Sequence, residues 1–178
     1  MTRALLIAAL VCGFGVVGGN TTLPALDPAK DRVVKLEADY ILSCQYLDFN
    51  SPAYGAINNV TGDPTWIIPG ENAVAIMGLV TAYRLTGENL YLQRAQLAGD
   101  YLVKVQDATN GAWYDQYSFG APVTNAQSLG QTAEVMMALD KLGYDLARYG
   151  TMQKAAQFLL DNQNTAYKGG QDDGLVGG

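Results

Sequence analysis

The chain has 178 residues, of which 49% are hydrophobic, 16% charged and 10% aromatic, a composition that excludes a disordered chain and supplies one domain with a real core. Seventeen acids against eleven bases give a net charge of −6, which disfavours a nucleic-acid partner, because phosphate binding needs a basic surface to displace counterions. There is no histidine, so Ser-His-Asp and Cys-His triads, histidine-ligated zinc and imidazole acid-base catalysis are excluded, and proton transfer falls to carboxylates, tyrosine or lysine.

The chain opens with Met1-Thr2-Arg3, a short basic start, followed by an apolar and glycine run over 4–17 and the small residues Gly18 and Gly19. Fourteen apolar residues are short for a bilayer span and suit an export signal, so residues 1–19 are expected to be a signal peptide and 20–30 a leader. The competing reading is a buried N-terminal helix. Export implies a secreted or cell-envelope location, with no integral membrane segment after cleavage. Cys44 would then be the sole cysteine, inside an apolar helical stretch, which predicts a packed core thiol.

Five helices follow. The first starts at Asp27-Pro28, an N-cap acid with proline at the first helical position, and runs to about Tyr46. Val33, Leu36, Tyr40, Ile41 and Cys44 recur at helical spacing and read as one apolar stripe. The second runs from about Glu71 to Leu85 with Gly87 as terminator, the third from Asn89 to Gln106, the fourth from Thr132 to Leu142 and the fifth from Thr151 to Gln163. No alternating strand pattern appears between them, so the expected class is all-α.

Short joints around Gly87 and Gly143 make antiparallel helical hairpins. Long glycine- and aromatic-rich loops cover 47–70, 107–131 and 164–178, and antiparallel alternation puts all three on one face. A repeat runs through them. Tyr40-Ile41, Gln45 and Gly55 are followed by Tyr101-Leu102, Gln106 and Gly111, then by Phe158-Leu159, Gln163 and Gly174, with glutamines 61 and 57 residues apart. A glutamine at a helix C-terminus hydrogen-bonds loop backbone, and the glycine admits close approach of the next segment. Repeated antiparallel hairpins at this interval, with long functional loops on one face over residues 31–178, predict an (α/α) toroid, here a partial one, or a solenoid.

The run Ala73 to Leu79, Ala82-Tyr83-Arg84-Leu85-Thr86-Gly87-Glu88, Tyr91-Leu92, Asp100-Tyr101-Leu102, Gln106 and Gly111-Ala112-Trp113-Tyr114-Asp115 resembles one hairpin of the six-hairpin glycosidase-like (α/α) toroid superfamily. The glutamine-glycine-tryptophan element is more distantly similar to the repeat of terpenoid cyclases, but Asp172-Asp173 follows Gly170 where their acid motif has an aspartate. The resemblance implies hydrolase, lyase or epimerase chemistry on carbohydrate. A closed ring of that superfamily holds six hairpins where this chain holds about two and a half, so a fragment of a longer enzyme is expected, ahead of a small open array or an end-to-end assembly.

Sugar sites combine aromatic platforms with carboxylates and amides, and glycoside hydrolysis adds two carboxyl groups about 5–9 Å apart. The candidate catalytic pair is Glu71 and Asp115, and the candidate substrate-binding residues are Asp63, Trp66, Trp113, Tyr114 and Tyr117. Glu71 also reads as an acid paired with a helix dipole, Asp115 as a turn residue, Glu134 as a capping-box acid or cavity-facing carboxylate, and the two tryptophans as packing between hairpins. Asp172-Asp173 is a weak calcium motif, and no metal or cofactor is expected. A lyase would use Tyr117 or Lys168 as base. The expected function is an exported carbohydrate-active protein acting on a polysaccharide or oligosaccharide by carboxylate acid-base chemistry. The alternative is a non-catalytic secreted hairpin module that binds glycan or self-associates through exposed hairpin ends.

Overall fold

The computed structural model describes residues 27–58, 63–144, 150–164 and 175–176. The expected signal segment 1–19, and the loop residues Lys168, Gln171, Asp172 and Asp173, lie outside them. The fold is mainly α. Among the described residues its helices are α1 (Pro28–Ser43), α2 (Pro69–Thr86), α3 (Asn89–Val105), α4 (Leu129–Lys141) and α5 (Gly150–Asp161). Among the described residues there are also four two-residue strands, β1 (Tyr117–Ser118) with β2 (Ala121–Pro122) and β3 (Gln163–Asn164) with β4 (Leu175–Val176), each pair antiparallel. Strands of two residues carry no periodicity, which is why the sequence shows only helices.

The helix ends follow from local chemistry. Asp27 caps α1 by accepting the Ala29 amide at 2.8 Å, and Pro28 takes the first helical position. Gly87 ends α2 at φ 72°, and Gly143 follows α4 at φ 68°. The first turns of α2 and α4 begin earlier than the sequence predicts. Pro69 opens α2, and Ser128 caps α4 by accepting the Gln131 amide at 3.2 Å. Only Gly87 and Glu88 separate α2 from α3.

Helix α2 is central: it packs against α1, α3 and α4 and is buried along most of its length, from Asn72 and Ala73 through Ile76, Leu79 and Ala82. Helix α4 completes the inner layer with Thr132, Val135, Ala138 and Leu139. The predicted α1 stripe is divided. Ala38, Ile41 and Cys44 enter the core, whereas Val33, Leu36 and Tyr40 are exposed on the opposite side of the helix.

Two loop-to-helix junctions make the same hydrogen bonds. Gln45 Nε2 donates to the Gly55 carbonyl at 3.0 Å, and Gln106 Nε2 donates to the Gly111 carbonyl at 2.6 Å. The following residues, Tyr46 and Asp107, donate their amides to Ala56 and Ala112 and accept those of Gly55 and Gly111. Two residues after each glycine, a buried polar side chain from the next inner helix accepts the backbone amide: Asn72 Oδ1 takes Ile57 at 2.7 Å, and Thr132 Oγ1 takes Trp113 at 3.5 Å. Both glycines have positive φ, and a Cβ on either would strike the next outer helix, at the Leu97 carbonyl on α3 or at Lys154 on α5.

Candidate functional site

The loops after α1 and α3 meet at the end of the bundle where α2 and α4 begin. Ile67 and Tyr117 exchange backbone hydrogen bonds at 3.0 and 2.8 Å, and the Phe119 amide reaches the Pro64 carbonyl at 2.9 Å. A second backbone bridge joins Tyr114 to Gln127, beside the Asp115 amide bonded to Ala126 at 2.9 Å. The β1–β2 hairpin turns through Phe119 at φ 48° and Gly120 at φ 82°, two positive φ values in the manner of a type I′ turn. Phenylalanine disfavours that region, yet its ring remains exposed.

Gln131 ties the carboxylate-bearing segments together. Its Oε1 accepts the Gly70 amide at 3.1 Å, and its Nε2 donates to the Asp115 carbonyl at 3.4 Å. The Glu134 carboxylate lies directly against Gly70 and would have to move to admit a side chain there. Glu71 is the next residue, in the first turn of α2. Through the backbone of residues 70 and 115, Gln131 thus joins the start of α2, which carries Glu71, to the Asp115 loop, with Glu134 one turn further along α4. Glu71 is exposed by surface area, yet the protein beside it removes enough water to raise its carboxyl above the ordinary value. Such a shift favours the protonated form that a general acid requires. Among the described residues, no three His, Cys, Asp or Glu side chains gather closely enough to hold a metal ion.

The aromatic candidates divide sharply. Trp66 is 49% exposed, one residue before the Ile67–Tyr117 pairing, and offers a free face. Trp113 is fully buried and donates Nε1–H to the Leu102 carbonyl at 2.8 Å, so it packs the core and presents no platform. Tyr117 is buried too: its hydroxyl donates to the Val105 carbonyl at 2.8 Å and accepts the Tyr114 amide at 3.1 Å. Burial pushes the Tyr117 phenol up to about 12, which removes it as a platform and as a lyase base at neutral pH. Tyr114 is half-buried, edge-on to Tyr117 with ring centroids 6.2 Å apart. Asp63 turns its own loop by accepting the amide of Thr65 at 2.9 Å and the Thr65 hydroxyl, bonds that lower its carboxyl pKa.

A polar group beside these residues escapes the sequence reading. Asp107 Oδ2 accepts the Tyr114 hydroxyl at 2.7 Å and Gln127 Nε2 at 2.9 Å, while Asn110 Nδ2 donates to Gln127 Oε1 at 2.7 Å. The Tyr114 bond, then the Thr109 amide, hold the Asp107 carboxyl below its usual range. The local signal was Asp107-Ala108-Thr109-Asn110, a side-chain-capped turn; the long-range partner Gln127 has no such signal. Gln131 was also missed: the capping-box reading was placed at Glu134, whereas Ser128 is the cap, and no local pattern marks Gln131 as the link between α2 and the Asp115 loop. Compared with known proteins, the chain matches no family model, no curated protein and no solved structure.

Proposed function

We propose that the chain is part of an (α/α) hairpin toroid whose loop face binds a polysaccharide or oligosaccharide, and that Glu71 acts there as acid with Asp115 or Glu134 as the second carboxylate. The observation that carries this reading is the link that Gln131 makes between the segments bearing Glu71 and Asp115, one turn from Glu134, with Trp66 exposed in the loop that leads into α2. Sugar hydrolysis needs a protonated carboxyl beside an ionised one, and aromatic faces to seat the apolar side of a ring. The hairpin reading is supported by the paired Gln45–Gly55 and Gln106–Gly111 junctions with their buried Asn72 and Thr132 partners.

The charge of the face indicates the kind of glycan. Its acids Asp63, Glu71, Asp107, Asp115 and Glu134 outnumber the nearby Lys104 and Lys154, which donate to the Pro52 and Ala108 carbonyls at 2.9 and 2.7 Å. Neutral or cationic sugars fit this field; polyuronates are repelled. Hydrolysis therefore ranks above elimination, since acids outnumber bases on the described face and its buried tyrosine is held protonated. The N-terminal apolar run fits export to an extracytoplasmic compartment where such polymers occur.

The test is release of reducing ends from soluble neutral glucans, xylans and mannans, and from chitosan. Wild type is expected to be active on at least one. Glu71→Gln should lower kcat by a factor of about 100 or more, as expected for loss of a general acid. Activity unchanged by Glu71→Gln, Asp115→Asn and Glu134→Gln would remove the catalytic assignment.

A further inference from the structure

The outer side of α1 carries an apolar seam that is exposed among the described residues. Val33, Leu36 and Tyr40 are 51%, 58% and 44% exposed, whereas Ala38 and Ile41 on the other side of the helix are buried. With Ala29 the seam has spacings of four, three and four, the a/d register of a two-stranded coiled coil, against the wider stripe of an ordinary core-facing helix. An apolar seam at this spacing is complementary to another seam of the same kind.

The flanks of the seam carry the second observation. On one side lie Lys30 and Glu37, and on the other Arg32 and Asp39, each pair seven residues apart with the base nearer the helix N-terminus. Within α1 the recorded ion pair is Lys35–Asp31 at 2.8 Å, on the side away from the seam; among the described residues Lys30, Arg32 and Glu37 have no ion-pair partner. Asp39 is exposed and accepts the Tyr91 hydroxyl at 3.1 Å, which leaves its second oxygen open. When two such helices pair antiparallel, like flank meets like flank. Lys30 then faces Glu37 of the other copy, Arg32 faces Asp39, Val33 meets Leu36, and Ala29 meets Tyr40. All four charged contacts of the two-fold pair are attractive. A parallel pair brings only Arg32 to Glu37 and aligns the two helix dipoles unfavourably.

We propose that α1 is a self-association surface on which a second copy of this chain docks antiparallel about a two-fold axis, with Val33, Leu36 and Tyr40 as its seam and Lys30–Glu37 and Arg32–Asp39 as its intermolecular pairs. One helix pair of this length buries less than the roughly 1,200–2,000 Å² of a standard stable interface, so the dimer is weak and concentration-dependent. Its charged rim makes it sensitive to salt. The inference stands independently of the proposed activity.

The experiment is sedimentation velocity of the full chain across a concentration series. A reversible monomer–dimer equilibrium is expected, weakened by added salt. Leu36→Glu should leave a monomer whose circular dichroism matches wild type. Lys30→Glu puts like charges together twice and should weaken the dimer by roughly tenfold. The double variant Lys30→Glu with Glu37→Lys should restore it, because the antiparallel contacts are simply exchanged. In a parallel pair the Glu37→Lys change would instead set a second positive charge against Arg32, and the chains would stay dissociated. A wild-type chain that remains monomeric throughout, as it would if another part of the chain covered the seam, overturns the proposal. A dimer indifferent to Leu36→Glu, or one that the double variant does not restore, overturns it as well.

Discussion

Asp107 shows how one side chain fixes the rim of the site. It accepts bonds from the Tyr114 hydroxyl, the Thr109 amide and the Gln127 amide, and these stabilise its ionised form. Because its folded pKa lies below the unfolded value, its contribution to stability is complete above about pH 4 and is lost as pH falls through the folded pKa. Asp107→Asn is expected to cost about 1 kcal/mol at neutral pH, partial exposure keeping the figure small. Urea titrations of both proteins at several pH values should show the difference shrinking on the acid side. A difference unchanged below about pH 3 would mean the carboxylate charge is not what the network uses. The tryptophans show the limit of residue-level reading. Trp66 and Trp113 both fall in aromatic loops, and sequence gives them equal standing as platforms. What separates them is that residues 111–113 are drawn under α4 by Thr132 and over Leu102, a contact set by tertiary packing.

Among the elements, the helices were legible because each carries its own end signals: Asp27-Pro28, Gly87 and Gly143 all act where the sequence places them. The α1 stripe divides because five apolar residues at three- and four-residue spacing cover two faces of a helix, and periodicity does not say which face a core will take. The glutamine–glycine pairing was legible in outline. Its partners Asn72 and Thr132 were not, since a buried polar residue one turn into a helix resembles an ordinary capping residue. The element-scale prediction concerns Gly111, which has φ 82° and whose added Cβ would strike Lys154 on α5. Gly111→Ala combines a disfavoured φ with displacement of α5, and a loss of roughly 2–4 kcal/mol is expected. The control is Gly87→Ala, with φ 72° but open space around the added methyl, and a loss of only about 1 kcal/mol. Equal losses in chemical denaturation would show that close approach to α5 contributes nothing.

At the scale of the molecule, an inner layer of α2 and α4 holds the starts of both helices at one end, and the loops after α1 and α3 close over that end. The mainly helical class was legible from hydrophobic period alone; of the candidate site residues, Glu71 and Trp66 are exposed, while Trp113 and Tyr117 are buried, a division that only packing decides. The two tryptophans make the central claim directly measurable, because the exposed one reports on the face and the buried one does not. Intrinsic fluorescence is therefore followed while neutral oligosaccharides and chitosan oligomers are titrated into the full chain, with polygalacturonate as the repelled control. The account predicts a saturable change in the long-wavelength emission of Trp66 with at least one neutral or cationic glycan, absent in Trp66→Phe and absent with polygalacturonate. No change with any of them up to millimolar concentration, while that emission remains intact, would contradict a glycan-binding face.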